Sequence, residues 1–201
     1  MLLNFLVLLV FGLTMGSFAW GMVFYFKVEE KKTREMHLVT FGGSAIGVVN
    51  FYYLLYFLDF MPDLSGMDIL HLSNTSGQVQ HWRKVVALSF YGLSLLLFWS
   101  AISASRKANL TFVYSIDLPQ EIIKTGPYQF IRHPFYTSYT IAFSVLAILF
   151  PSFVLALCSL FMLALYVKGA LQEQAKFASS NLSAQYTDYI AKTGMFLPRI
   201  F

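Results

Sequence analysis

Arg132, His133 and Pro134 stand together in GPYQFIRHPFYTSY, residues 126–139, with apolar and aromatic residues around them and a long hydrophobic run directly after. Charge beside a membrane interior is costly and marks function or topology. Pro134 holds His133 to extended backbone and suits the first turn of a helix. Arg132 and His133 then sit at the positive end of that helix dipole, where free backbone N–H groups attract anions. An arginine and an imidazole added there make a site for a carboxylate or a phosphate. The competing roles are structural, with Arg132 snorkelling and setting topology and His133 capping the helix.

The second group is in YVKGALQEQAKFASSNLSAQYTDYIAKTGMFLPR, residues 166–198. Glu173 follows an apolar run by about a turn and a half. Leu171, Ala175, Ala178 and Leu182 recur at helical spacing, so the helix is amphipathic there. Taken alone, Glu173 equally fits a solvated interfacial carboxylate. A short helix over about 183–193 carries Tyr186 and Tyr189, and the glycine of GMFLPRIF reads as a helix stop before an apolar tail.

The elements that must position these groups are membrane spans. Hydrophobic residues make up 57% of the 201 and charged residues only 12%, against about 25% charged in soluble domains; mean hydropathy is +0.62. Five apolar runs cover roughly 2–26, 38–60, 85–102, 135–150 and 152–168. The first lacks a basic leading segment and is too long for a cleaved signal, so it reads as a retained span. Pro151 divides the last two runs, which predicts an antiparallel hairpin rather than one overlong helix. That hairpin brings His133 and Glu173 to the same membrane face, where they flank a cavity suited to a zwitterionic or mixed-charge ligand.

Basic residues support this count. Lys27, Lys31, Lys32 and Arg34 follow the first span; Arg106, Lys107, Lys124 and Arg132 follow the third; Lys168, Lys176, Lys192 and Arg199 follow the fifth. Five spans put all three groups on one side, the cytoplasmic one, with the N-terminus outside. The hydropathy is equally compatible with a bacterial inner membrane and the endoplasmic reticulum. The expected fold class is all-α integral membrane: a five-span bundle with a proline-divided C-terminal hairpin and a cytoplasmic amphipathic helix. It forms one structural domain, with spans one to three in residues 1–110 and a functional half in 111–201.

Residues 61–84 read as an irregular external loop, with a glycosylation tripeptide at Asn74. Gly42, Gly43, Ser44 and Gly47 read as close helix packing. The net charge of +4 gives no ground for nucleic-acid binding, the single cysteine excludes an internal disulfide, and the four histidines lack metal-ligand spacing.

GPYQFIRHPFY, the divided hairpin, LQEQAKF, SAQYTDY and TGMFLP together resemble the isoprenylcysteine carboxyl methyltransferase family, grouped with phospholipid N-methyltransferases. The resemblance covers about residues 118–198; the N-terminal spans match only as generic helices. It implies a membrane methyltransferase using S-adenosylmethionine, with Tyr128, His133, Pro134, Tyr136 and Glu173 lining the cofactor site. The segment before the glycine also contacts cofactor, here Gln120, Ile122 and Ile123. Arg132 and His133 take the catalytic places, and Arg132 with Lys168 the substrate carboxylate. The implied substrate is a lipid or prenylated molecule entering from the bilayer, methylated on a carboxylate oxygen or a lipid amine. Membrane lipids are the other expected partner.

The chain departs from the family pattern in the segment Gln120-Glu121-Ile122-Ile123, which lacks the family's histidine, by one extra residue between Gln174 and Tyr186, and at three substitutions. Ser138 replaces a glycine, Gln174 replaces a second glutamate, and Gly169, next to Lys168, replaces an arginine. The last departure bears more on the prenylcysteine substrate than on methyl transfer. Two other readings share these motifs: an NADPH-dependent sterol-reductase-like oxidoreductase, and a homologue that has lost catalysis.

Overall fold

The computed structural model describes residues 1–26, 34–58, 60, 81–106, 108, 110, 121–149 and 152–199. They form six α-helices: α1 Leu2–Trp20, α2 Arg34–Phe57, α3 His81–Ser105, α4 Pro134–Leu149, α5 Phe153–Ala178 and α6 Ser183–Lys192. A π-helical turn, Gly21–Tyr25, extends α1, and a 3₁₀ turn, Gly126–Gln129, precedes α4. No strand occurs among the described residues; one isolated parallel pairing joins Ile131 to Gly194.

Four helices are long and apolar enough to cross a membrane: α1 with its π turn, α2, α3 and α5. α4, at 16 residues, reaches only about 24 Å, short of the ~30 Å hydrocarbon core. α5 starts where Ser152 caps it, its hydroxyl accepting from the Leu155 N–H at 3.5 Å. Pro151, Gln120, Lys27, Lys31, Lys32, Lys107 and Asn74 lie outside the described residues.

α3 is the central helix and packs on both α1 and α4, and α4 packs in turn on α5. Aromatic rings fill the junction: Phe18 meets Phe98 at 5.3 Å and Tyr139 at 4.5 Å, and Phe98 meets Phe135 at 5.4 Å. Gly21 allows the close approach of α1 to α3, because a Cβ there would lie 2.8 Å from the Phe98 ring. Ser138 is fully buried at the α3–α4 contact; its hydroxyl donates to Phe135 O at 2.8 Å, and its own carbonyl accepts from Ser94 at 2.7 Å. The serine that replaces a family glycine is therefore satisfied in place.

α4 and α5 run antiparallel. Ser159 on α5 donates to the Phe143 carbonyl of α4 at 2.9 Å, and His133 meets Glu173 at the other end. α2 lies against α4 and α5, where Gly42 and Gly43 pass Phe161 and Met162. Lys168 joins Glu35 at 3.5 Å across the same contact. Among the described residues, α1 and α2 are joined by Asn4 to the Leu58 carbonyl at 2.8 Å and by the ring pairs Phe5–Phe60 and Phe11–Phe51. Toward their other ends a cavity lies between them.

Candidate active site

The chain reaches α4 through a tight turn. Gly126 has φ +57, a left-handed conformation that favours glycine. An added Cβ would also sit 2.9 Å from Ala104 Cβ. The turn swings Tyr128 inward, and after Phe130 the chain leads through Ile131–His133 to Pro134.

That stretch pairs with residues from the far C-terminal region. Gly194 donates to the Phe130 carbonyl at 3.0 Å, Arg132 N–H donates to Gly194 O at 2.9 Å, and His133 N–H to Met195 O at 3.2 Å. Thr137 adds a side-chain bond to Phe196 O at 2.9 Å. Pro134 has no N–H to satisfy, so it fits where this pairing gives way to the helix. Gly194 has no space for a side chain, since a Cβ would fall 1.6 Å from the Leu197 carbonyl oxygen.

Arg132 is engaged with protein. Its guanidinium donates to the carbonyls of Thr193 and, at 3.5 Å, Ile190, so it caps the C-terminus of α6, where a cation is favoured. His133 is buried, 7% exposed. Its Nδ1 stands 3.3 Å from Glu173 Oε2, while Tyr136 donates its hydroxyl to Glu173 Oε1. The imidazole stacks on Tyr136 at 5.3 Å and 7°, and Tyr136 stacks on Tyr166 at 5.4 Å and 11°. Three rings in a column fix the angle at which Glu173 is held.

α6 closes the site from outside. Tyr189 donates to the Tyr128 carbonyl at 2.7 Å, and Tyr186 stacks on Phe177 at 4.2 Å. Burial pushes the Tyr186 phenol up to about 12, with Arg132 opposing and Glu173 adding to the rise. Burial also raises Tyr189 and Tyr128. All three are neutral phenols at physiological pH, offering aromatic faces and hydrogen-bond donors.

These groups line one end of a cavity of about 470 Å³. Its other arm is apolar and runs between α1 and α2, past Met22, Phe18, Val39 and Gly47 to Phe11 and Phe51. His133 Nε2 and Arg132 Nε are buried without a hydrogen-bond partner among the described residues. Both residues border the cavity.

Of the residues singled out from sequence, Ile122, Ile123, Tyr128, Arg132, His133, Pro134, Tyr136 and Glu173 all border this cavity. Lys168 is not brought to it: its side chain is 54% exposed and paired with Glu35. Gln120 lies outside the described residues. Glu121, Phe177, Tyr186, Tyr189 and the α1–α2 arm join the site without having been singled out for it. The i, i+3 spacing of Tyr186 and Tyr189 on a short amphipathic helix was the available signal for α6.

No curated protein matches the chain. The family model described as phospholipid methyltransferase matches residues 82–179. That stretch runs from α3 through α5 and contains His133, Tyr136 and Glu173. With this match and four helices able to span a bilayer, the resemblance read from the sequence stands: residues 82–179 are similar to the phospholipid methyltransferases.

Proposed function

We propose that the protein is an S-adenosylmethionine-dependent methyltransferase acting on a lipid-like substrate within the membrane, with a lipid amine as the favoured acceptor. The observation that carries this is the convergence of Glu173, His133 and Tyr136 at the polar end of a cavity whose other arm is apolar.

The residues fit the cofactor. Glu173 offers a carboxylate to its cationic or hydroxyl groups, and Tyr128, Phe177 and Tyr186 offer faces for a purine or a sulfonium. Ile122, Ile123 and Pro134 supply apolar edges, and Gln120 precedes them in the chain. When bound, S-adenosylmethionine supplies a methyl group already activated on sulfur. The protein's task is then alignment and exclusion of water. His133 holds the reacting end of the wall, with Arg132 behind it tying the wall to α6.

Charge separates the acceptor readings. Arg132 borders the cavity with its guanidinium bonded to the Thr193 and Ile190 carbonyls, and Lys168 lies outside it, while the carboxylate residues Glu121 and Glu173 both border it. Such a wall suits a cationic or amine headgroup. A carboxylate oxygen of the isoprenylcysteine type is the second reading, and it needs Arg132 to turn from α6 toward substrate. The same scarcity of cations among the described wall residues disfavours the phosphates of NADPH.

In this reading α4 is the fourth of five spans. The basic residues set the N-terminus outside and α6 in the cytoplasm, in a bacterial inner membrane or the endoplasmic reticulum. Residues 1–110 form the lipid-facing half of one domain and 111–201 the cofactor half. The test is calorimetry on detergent-purified protein with S-adenosylmethionine and with NADPH, beside His133→Ala. Binding of S-adenosylmethionine that His133→Ala weakens is the expected result. NADPH binding instead moves the protein to the reductases, and binding of neither overturns this reading.

A further inference from the structure

Two walls of the apolar arm, α1 and α2, precede the family-matched stretch, which begins at residue 82; Phe143 of α4 borders the cavity from within it. From Met22 to Phe11 the α1 wall covers about 16 Å, and from Val39 to Phe51 the α2 wall covers about 18 Å, at 1.5 Å per residue. One leaflet of a bilayer is about 15 Å of hydrocarbon. With α1 and α2 crossing a bilayer, an arm of this length matches the depth of a lipid tail whose headgroup lies at His133 and Glu173.

The far end is closed. Phe11 stacks on Phe51 at 6.0 Å and 18°, and Tyr91 stands edge-on behind Phe11 at 5.4 Å. Past this pair the two helices are tied by Asn4 to Leu58 and by Phe5 to Phe60. Gly47 shows why the arm is open: a Cβ built there meets nothing within 4 Å, although the residue borders the cavity. The glycine leaves space in the arm rather than admitting a neighbouring helix.

We propose that the arm between α1 and α2 binds one hydrocarbon tail of leaflet length, and that the Phe11–Phe51 pair sets the longest tail accepted. This rests on the lipid-substrate reading and adds to it a selection by tail length. The occupant follows from the walls, which carry no charge between Met22 and Phe11 or between Val39 and Phe51 and are apolar except for Ser44, whose hydroxyl is bonded to the Thr40 carbonyl at 2.8 Å.

The test uses the full chain in detergent and lysophosphatidylethanolamines of increasing acyl length, with retention read by native mass spectrometry. Wild type is expected to retain tails up to a cut-off and to discriminate against longer ones. Gly47→Leu fills the arm and lowers retention about tenfold or more, since it displaces several methylenes. Phe51→Ala moves the cut-off to longer tails. Gly12→Leu is the matched control, because a Cβ there also meets nothing within 4 Å but Gly12 does not border the cavity; it leaves retention unchanged. Retention that ignores tail length, or that falls equally in Gly47→Leu and Gly12→Leu, overturns the proposal. S-adenosylmethionine calorimetry on the same samples separates the two readings. Loss of cofactor binding in wild type with tail selection intact removes the methyltransferase reading alone.

Discussion

Glu173, on α5, receives His133 Nδ1 at 3.3 Å on one oxygen and the Tyr136 hydroxyl of α4 on the other. Both carboxylate oxygens are thereby oriented by α4, and the carboxylate stays 35% exposed beside the cavity. Glu173→Gln keeps the shape and removes the charge. S-adenosylmethionine affinity is expected to fall roughly tenfold to a hundredfold, the worth of a charge-assisted bond. Calorimetry checks it, with circular dichroism to show that the helices persist. Unchanged affinity would place the cofactor elsewhere.

Arg132 is predicted to act on stability before substrate. Its guanidinium holds the carbonyls of Ile190 in α6 and of Thr193, the residue that follows it. Arg132→Ala should destabilise the protein by about 1.5–3 kcal/mol, the range for hydrogen bonds from charged groups. Amide exchange should rise first in α6. A variant that melts like wild type yet loses substrate would instead give the arginine to the acceptor.

Gly194→Ala tests the pairing between residues 130–133 and 194–195. The Cβ has no space beside the Leu197 carbonyl, so the segment must shift and the bonds to Phe130 and Arg132 weaken. Cofactor binding should drop while the spanning helices remain intact by circular dichroism. Full binding by Gly194→Ala would show that the pairing does not shape the site.

Tyr186 predicts an alkaline limit. Its phenol is raised by burial to about 12 in the folded protein, above the ordinary ~10 of an unfolded chain. The neutral form is the one that folding favours. Its contribution is therefore complete below pH ~10 and is lost as pH rises through ~12. Tyr186→Phe should melt with a flatter dependence over that interval, tracked beside tyrosinate absorbance. Parallel wild-type and variant curves would refute it.

The sequence made the helices and most of the polar cluster legible. Apolar runs located α1, α2, α3 and α5, and Pro134 marks the first residue of α4. His133 and Glu173 meet because the runs on either side of residue 151 pack antiparallel. What stayed hidden depends on distant backbone. No side-chain pattern announces that Gly194 and Met195 pair with Phe130, Arg132 and His133, so Arg132 read as a ligand group and not as the cap of α6. Lys168 was grouped with the site by its neighbourhood in sequence, yet it points to Glu35. The small residues of α2 divide: Gly42 and Gly43 meet α5 as expected of packing, whereas Gly47 meets open space.

The pairing of residues 130–133 with 194–196 also orders events in time. α1 to α5 can insert and pack as they are made, but the wall that carries His133 has no backbone partner until Met195 has been synthesised. The polar end of the cavity is therefore assembled last, after its lipid-facing arm already exists. Under the proposed function, a growing chain would meet bilayer lipid before it has the wall that is to hold cofactor.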